Sequence, residues 1–540
     1  MQHTATYSIE GYNPTLGEEQ AGKIREQLAV VDGENFLFTV RGVHSAFQEA
    51  GGARPTPAPG HHPAQFWVKN QRVFLFADGA YLTDAFIPAQ LQAPAQTHPD
   101  YDLTAYHWSY AYVGTRHWFC HPTHPQLIYY DEFDDEWGLF RDDCWEGPIF
   151  SITQADNSLI VLLQDVVVWS KFDEGHRFAC EKYDDAGAQS LARIRYGQPF
   201  AVMPYNNAWL TFTSKGIMLS VHAREQVPHP NLRANLRELL VGPPIRFTHT
   251  DLSYEILPFG PAAIAHMDGR AVVWLAPQGF HAFQPAQGGG FGSIVQKMEI
   301  MGRFYTETLV PSIVRRPIRR LDDIALHYVP DMDWIAVSSR APEDTLHYSR
   351  AHVYQRQLDK WGSFNWPHLN FAARTSDMEI ALQERTYRYL AAFTPAGLQD
   401  YDAQRSHGRS WVRFSPARLV IPEQLPARSL KSVEELRIGV HEPPWLADVP
   451  RGLQSSWRTD LAEEVHPSVF RAVLYGGDGP VQITGDEVEY ATFFRRANNV
   501  VHFTCHVTGV DLSLYVLALR EDEHFALTTV EMSYFFAGLL

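Results

Sequence analysis

The chain has 540 residues, 45% of them apolar and 20% charged, with a formal net charge of -17. That length exceeds one ordinary core and calls for several domains or one large repeat architecture, and the apolar share excludes a disordered or fibrous chain. The acidic balance excludes general affinity for nucleic acid, which needs clustered Lys and Arg, and no run approaches the roughly 18 apolar residues of a membrane helix.

The first residues, "MQHTATYSIEGYNP", lack the basic and apolar regions of a secretory signal. Residues 1–30 are expected to form an extension that wraps a neighbour or closes a ring. A recurring unit follows: an apolar run, a polar corner and a second apolar run. It is seen in "NFLFTVRGVHSAF" (35–47), "VFLFADGAYLTDAF" (73–86), "LIVLLQDVVVWS" (159–170), "NAWLTFTSKGIMLSV" (207–221), "AVVWLAPQGFHAF" (271–283) and "YLAAFTPAGLQDY" (389–401). Most corners end in glycine (Gly42, Gly79, Gly216, Gly279, Gly397), which supplies the positive φ of a tight β-hairpin between two buried strands. Hairpins repeated every few tens of residues predict an all-β fold, a β-propeller of about six or seven irregular blades. A large two-sheet sandwich is the competing architecture.

Two longer units, residues 106–140 and 324–367, read as three strands, a polar turn and a tryptophan. They share the ending Asp135-Glu136-Trp137-Gly138 and Asp359-Lys360-Trp361-Gly362, in which the large ring can pack between neighbouring sheets. Residues 51–63 and 88–99 are proline-rich loops. After "GGGFG" (288–292), the stripe Ile294, Met298, Met301, Tyr305 and Leu309, ended by Pro311, predicts one inserted helix near 293–310. The propeller is expected over 31–429. Period-two alternation in "VVHFTCHVTG", "DLSLYVLALR" and "TTVEMSYFF" then predicts a separate antiparallel β-sandwich or jelly-roll-like domain over 430–540.

Chemistry is sparse. His117, Cys120, His121 and His124 offer zinc-binding atoms, but a strand end followed by two prolines is not a zinc spacing, and a polar loop with a buried thiol is expected. The run "DEFDDEW" (131–137) lacks the glycine-spaced calcium pattern and reads as a solvated hairpin turn. Arg315, Arg316, Arg319 and Arg320 make one basic run, which could face DNA or an acidic neighbour or be an ordinary surface run. Cys120, Cys144, Cys180 and Cys505 form no CxxC pair and are expected to be thiols in a reducing compartment. No nucleophile elbow, zincin helix, phosphate loop or dinucleotide fingerprint is present. No catalytic, cofactor-binding or metal-binding residue is assigned, and no enzymatic activity is expected.

The paired segments "QPFAVMPYNNAWLTFTSKGIMLSV" and "YEILPFGPAAIAHMDGRAVVWLAPQGFHAF", with the opening "DGENFLFTVRGVHSAF", resemble successive blades of the tail nozzle or hub proteins of short-tailed bacteriophages, also called packaged-DNA stabilisation proteins. The resemblance covers about residues 30–400 and leaves the C-terminal region out. It implies a virion structural protein, assembled in the host bacterial cytoplasm as a hexameric ring at the end of the portal and adaptor channel. Such a ring retains packaged DNA, lets it exit on infection, and adjoins tail fibres or tailspikes. An acidic lumen suits DNA that must slide without sticking. The alternative is a carbohydrate- or receptor-binding propeller with Trp108, Trp118 and Trp274 stacking sugars, and a propeller glycosidase or lyase stands third.

Overall fold

The computed structural model describes residues 2–12, 27–40, 42–45, 48–49, 63–68, 71–76, 79–82, 91–143, 145–178, 186–222, 247–267, 271–284, 293–296, 320–329, 333–341, 347–365, 367–373, 390–402, 410–415, 417, 429–440, 469–477, 488–493, 500–509, 511–518 and 525–539. Among them the elements are strands joined by short turns, with helical turns of three or four residues at Leu103–Ala105, Leu191–Ile194 and Pro261–Ala263.

Five four-stranded antiparallel sheets stand as self-contained blades. Blade 1 is Ser109–Val113, Arg116–Cys120, Leu127–Asp131 and Glu136–Phe140; blade 2 is Ser151–Ala155, Ser158–Leu162, Val166–Trp169 and Gly187–Ser190. Blade 3 is Pro199–Tyr205, Ala208–Thr213, Ile217–His222 and Phe247–Ser253; blade 4 is Ile264–Met267, Ala271–Ala276, Gly279–Gln284 and Ser293–Gln296. Blade 5 takes Asn370–Ala373, Leu390–Thr394 and Gly397–Asp402 from late in the chain and its outer strand, Gln48–Glu49, from early in it. That borrowed strand clasps the two ends of the repeat array together.

Two further sheets complete the ring. The meander Ile324–Val329, Trp334–Ser339, Arg350–Gln355 and Lys360–Phe364 lies between blades 4 and 5, and the three-stranded sheet Ala64–Val68, Gln71–Phe76 and Gly79–Leu82 lies between blades 5 and 1. Facing sheets meet across apolar layers: Phe212, Trp274 and Phe283 between blades 3 and 4, and Trp118, Ile152 and Val161 between blades 1 and 2. Each such buried side chain contributes roughly 1.5–3 kcal/mol. The expectation of six or seven irregular blades is therefore corrected to five that close on themselves. One remaining sector shows three strands among the described residues. The other gives up its outer edge, because Ser363 pairs with Phe36 and carries the meander into a larger sheet.

That larger sheet redraws the domain boundaries. Ala526–Leu539 pairs with Ser429–Val440 on one edge and with His3–Tyr12 on the other. His3–Tyr12 runs parallel to Gln27–Glu34, which pairs with Ser410–Phe414 and through it with Asp511–Ala518, Val469–Gly477 and Val488–Phe493. Val500–Gly509 pairs with Ser429–Val440 and lies beside Val488–Phe493, so the sheet curls round its own core of Tyr7, Ile9, Val433, Phe470, Phe503 and Met532. The strands of 430–540 thus do not stand apart, and within the extension expected over residues 1–30 the stretch His3–Tyr12 is a strand in that sheet. The physical reason is edge satisfaction: a long strand buried on both edges needs two partners, and the second comes from the other end of the chain.

The expected helix is corrected in part. Ser293–Gln296 is the fourth strand of blade 4, paired with Gly279–Gln284, and residues 297–319 lie outside the described residues. The corner glycines divide into two kinds. Gly279 and Gly397 take φ of +137° and +129°, a region that favours glycine. Gly42 and Gly216 serve instead by closeness, since a Cβ there would lie 1.8 Å from the Leu527 carbonyl oxygen and 2.9 Å from Ile194 Cβ. A third corner device uses no glycine. Tyr130, Tyr328 and Tyr354 each donate a hydroxyl proton to the aspartate five positions on, namely Asp135, Asp333 and Asp359. All three aspartates have φ near +54°. The bond thus fixes a left-handed corner, a conformation that aspartate adopts more readily than most non-glycine residues.

Candidate functional site

The feature most like a site lies where the inner strands of the blades begin, and it is built by the segment leading into blade 1. Asp102 caps the turn Leu103–Ala105 by accepting from the Thr104 amide at 3.1 Å. This folds Leu103, Ala105 and Tyr106 inward, each 3% exposed or less. The Tyr106 hydroxyl donates to the Pro199 carbonyl of blade 3 at 2.6 Å and accepts from Gln198 at 3.3 Å. Burial holds that phenol well above its ordinary pKa. One residue on, His107 Nε2 lies 3.0 Å from the Ala262 carbonyl at the head of blade 4, and its ring meets His327 of the meander edge-on at 5.1 Å. Tyr101 abuts Phe150 ahead of blade 2. A single segment, here called the plug, therefore touches the starts of blades 2, 3 and 4 and the meander.

Beneath the plug is a buried polar cluster. Arg340 and Asp322 form an ion pair, with side chains 3% and 0% exposed, and Arg320 Nε lies 3.2 Å from the same carboxylate. Arg320 also reaches Asp102 at 3.6 Å and donates to Thr104 at 3.2 Å, tying the plug to the meander. Tyr348 donates to the Asp322 carbonyl at 2.8 Å, and its backbone exchanges hydrogen bonds with His368. His368 Nε2 lies 2.8 Å from Ser338 Oγ. A hydroxyl beside an imidazole is the start of a nucleophilic pair. Here Ser338 and His368 are 0% and 1% exposed, and the nearby Asp322 carboxylate is paired to arginine, so the arrangement fixes structure and offers no substrate an approach.

The residues singled out in the sequence fall into separate structural roles. His121 donates from Nε2 to the Tyr106 carbonyl at 2.9 Å and accepts at Nδ1 from Thr123, which makes it a plug residue. His124 faces the carbonyls of Gln126 and Leu91, and Gln96 donates to Pro122, so residues 91–99 of the second proline-rich stretch lie against this corner. Residues 51–62 of the first lie outside the described residues. Cys120 is sealed against the Ile149 carbonyl at 3.4 Å, and burial pushes its thiol pKa far up. His117 sits between Tyr110 and Glu132 at 2.9 and 2.8 Å. Among the described residues no three His, Cys, Asp or Glu are placed to hold a metal ion.

The acidic run forms the turn between the third and fourth strands of blade 1. Burial raises the Asp131 pKa, but bonds from Arg116, the Phe133 amide and Thr115 outweigh it and hold the carboxyl below its usual range. Arg315, Arg316 and Arg319 lie outside the described residues. Trp108, Trp118 and Trp274 are 7%, 0% and 0% exposed, and their rings pack between sheets where no sugar can stack on them. The plug residues Tyr106 and His107 and the Asp322–Arg340 pair escaped sequence reading. An isolated capping aspartate in a loop was the one available signal.

No protein-family model and no curated protein sequence matches the chain. Solved structures to which it is similar include the Cps50 (Swd1) beta-propeller domain of Myceliophteria thermophila, 11% identical with a TM-score of 0.34 over 65% of this chain and 98% of that one. A chain of the mitotic checkpoint complex is 9% identical with a TM-score of 0.35 over 66% and 92%. Dihydro-heme d1 dehydrogenase NirN is 10% identical with a TM-score of 0.33 over 67% and 65%. Likeness this weak speaks of neither activity nor partners. The ring of sheets itself makes the chain a β-propeller.

Proposed function

We propose that the protein is a non-enzymatic virion component, the tail nozzle or hub of a short-tailed bacteriophage. On this reading, copies assembled in the host bacterial cytoplasm form a ring that adjoins the portal and adaptor, meets fibres or tailspikes, and keeps packaged DNA in place until infection. The observation that carries the reading is the plug. Tyr106 and His107 tie the lead-in segment across the starts of blades 3 and 4, and on this reading the propeller serves as a wall piece whose sectors are braced together. A passage for DNA would then run between copies, and a chain with net charge -17 lines it with a sign that repels phosphate. The strand patterns resembling nozzle blades support the same reading. Closing a ring from identical copies requires head-to-tail contacts.

The sugar-binding alternative loses its named platform with the burial of Trp108, Trp118 and Trp274. Mass photometry of the purified protein, alone and with portal–adaptor rings, tests the proposal. Closed oligomers or stable capture on the rings is expected. A monomer under both conditions would overturn it.

A further inference from the structure

The turn 131–136 presents a large apolar side chain where none is expected: Phe133 is 84% exposed among carboxylates. The turn is held from below by one buried carboxylate. Asp131, 4% exposed, accepts from Arg116 Nε at 2.7 Å, from Thr115 Oγ1 at 3.0 Å and from the Phe133 amide at 3.0 Å. The Glu132 amide donates to the Thr115 carbonyl at 2.8 Å, and Tyr130 bonds to Asp135. Phe133 therefore projects from a clamped loop, so little conformational freedom is left to lose when it is covered.

The neighbouring corner of blade 2 repeats the chemistry. Phe172 is 46% exposed there, and the next residue, Asp173, comes so near Gly114 that a Cβ on that glycine would lie 2.7 Å from its carbonyl oxygen. Among the described residues, Arg116 is ion-paired to Asp131, and Lys171 and Arg177 to Glu174, within these corners. Asp134, Asp135 and Glu136 stand exposed around Phe133.

We propose that Phe133 is the anchor of a docking corner for a cationic amphipathic segment of another protein. The segment's apolar side chains cover the Phe133 ring, and its lysines or arginines meet Asp134, Asp135 and Glu136. Charge chooses this occupant. Nucleic acid and anionic lipid are repelled by the same carboxylates, whereas a cationic segment is attracted by them. The proposal does not depend on the virion reading.

The test titrates full-length protein into a labelled amphipathic peptide of leucine and lysine, with all-lysine and leucine–glutamate peptides as controls, read by fluorescence anisotropy. The leucine–lysine peptide is expected to bind, and to bind more weakly as salt rises. Phe133→Ala should lose about tenfold or more in affinity, as a central anchor does, with an unchanged melting temperature because the side chain is exposed. Phe133→Leu should retain most binding, and Asp131→Asn should lose part of it by loosening the turn. No binding, equal binding of either control peptide, or full affinity in Phe133→Ala would each overturn the proposal. So would concentration-dependent self-association abolished by Phe133→Ala, which would make a second copy the occupant.

Discussion

In blade 3 the strand Ala208–Thr213 finds both of its partners, Pro199–Tyr205 and Ile217–His222, immediately before and after it along the chain. His3–Tyr12 instead pairs with Ala526–Leu539, and Thr6 and Glu531 touch across 525 positions of sequence. The two regions use the same strand chemistry, yet one is closed by short turns and the other by the meeting of chain ends. Local meanders bring their own register through the turn. The curled sheet must recruit its register from afar, and it therefore carries the larger loop-closure cost during folding.

That difference can be broken most severely by deleting residues 1–12. The deletion strips Tyr7 and Ile9 from the curled core and leaves one edge of Ala526–Leu539 open. A loss on the order of 5 kcal/mol is expected from the side chains alone. Limited proteolysis should then cut the C-terminal strands first while blades 1 to 4 stay protected. Simultaneous loss of both regions would show that they fold as one unit.

Within the propeller, Arg340→Met removes the buried one of the two arginines paired with the Asp322 carboxylate. Roughly 3–5 kcal/mol of stability should disappear in urea unfolding, and the added change Asp322→Leu should restore a good part of it. Gly42→Ala probes the seam between the regions, because the new Cβ would meet the Leu527 carbonyl at 1.8 Å. About 2–3 kcal/mol is expected there, against a few tenths for Gly11→Ala, where nothing lies within 4 Å.

The gentlest probe is acid. Burial, helped by the Arg193 charge, lowers the His249 pKa from 6.5 to about 4. The unfolded chain therefore takes up a proton that the folded chain refuses as pH falls through that interval. Propeller stability contributed by this site is intact above about pH 6.5 and is lost progressively toward pH 4. His249→Leu should flatten the dependence of the urea midpoint on pH between those values. An unchanged slope would assign the acid sensitivity to other groups.

How much was legible in advance follows from the same contrast. The hairpins at 207–221, 271–283 and 389–401 announced themselves because turn and strands are contiguous, and all three form as read. Alternation in "TTVEMSYFF" correctly set Val530, Met532 and Tyr534 on the buried face, but a period of two names a face and not a partner. Hence the boundary drawn near residue 430 missed His3–Tyr12 altogether. Blade number went astray for a related reason: nothing in "DKWGSF" says that the strand Lys360–Phe364 will give its outer edge to Phe36–Phe38. The stripe from Ile294 looked helical, yet Ser293–Gln296 completes blade 4, where the open edge of Gly279–Gln284 outweighs local propensity. The plug was invisible because its hydrogen bonds join Tyr106, Pro199, His107 and Ala262, positions far apart in sequence.

The most direct test of the account is negative-stain microscopy of the protein with tail adaptor complexes, followed by class averaging. Closed rings of identical copies are expected, with the hole lying between protomers. Single compact particles under every condition, or rings whose only opening runs through the propellers, would contradict it.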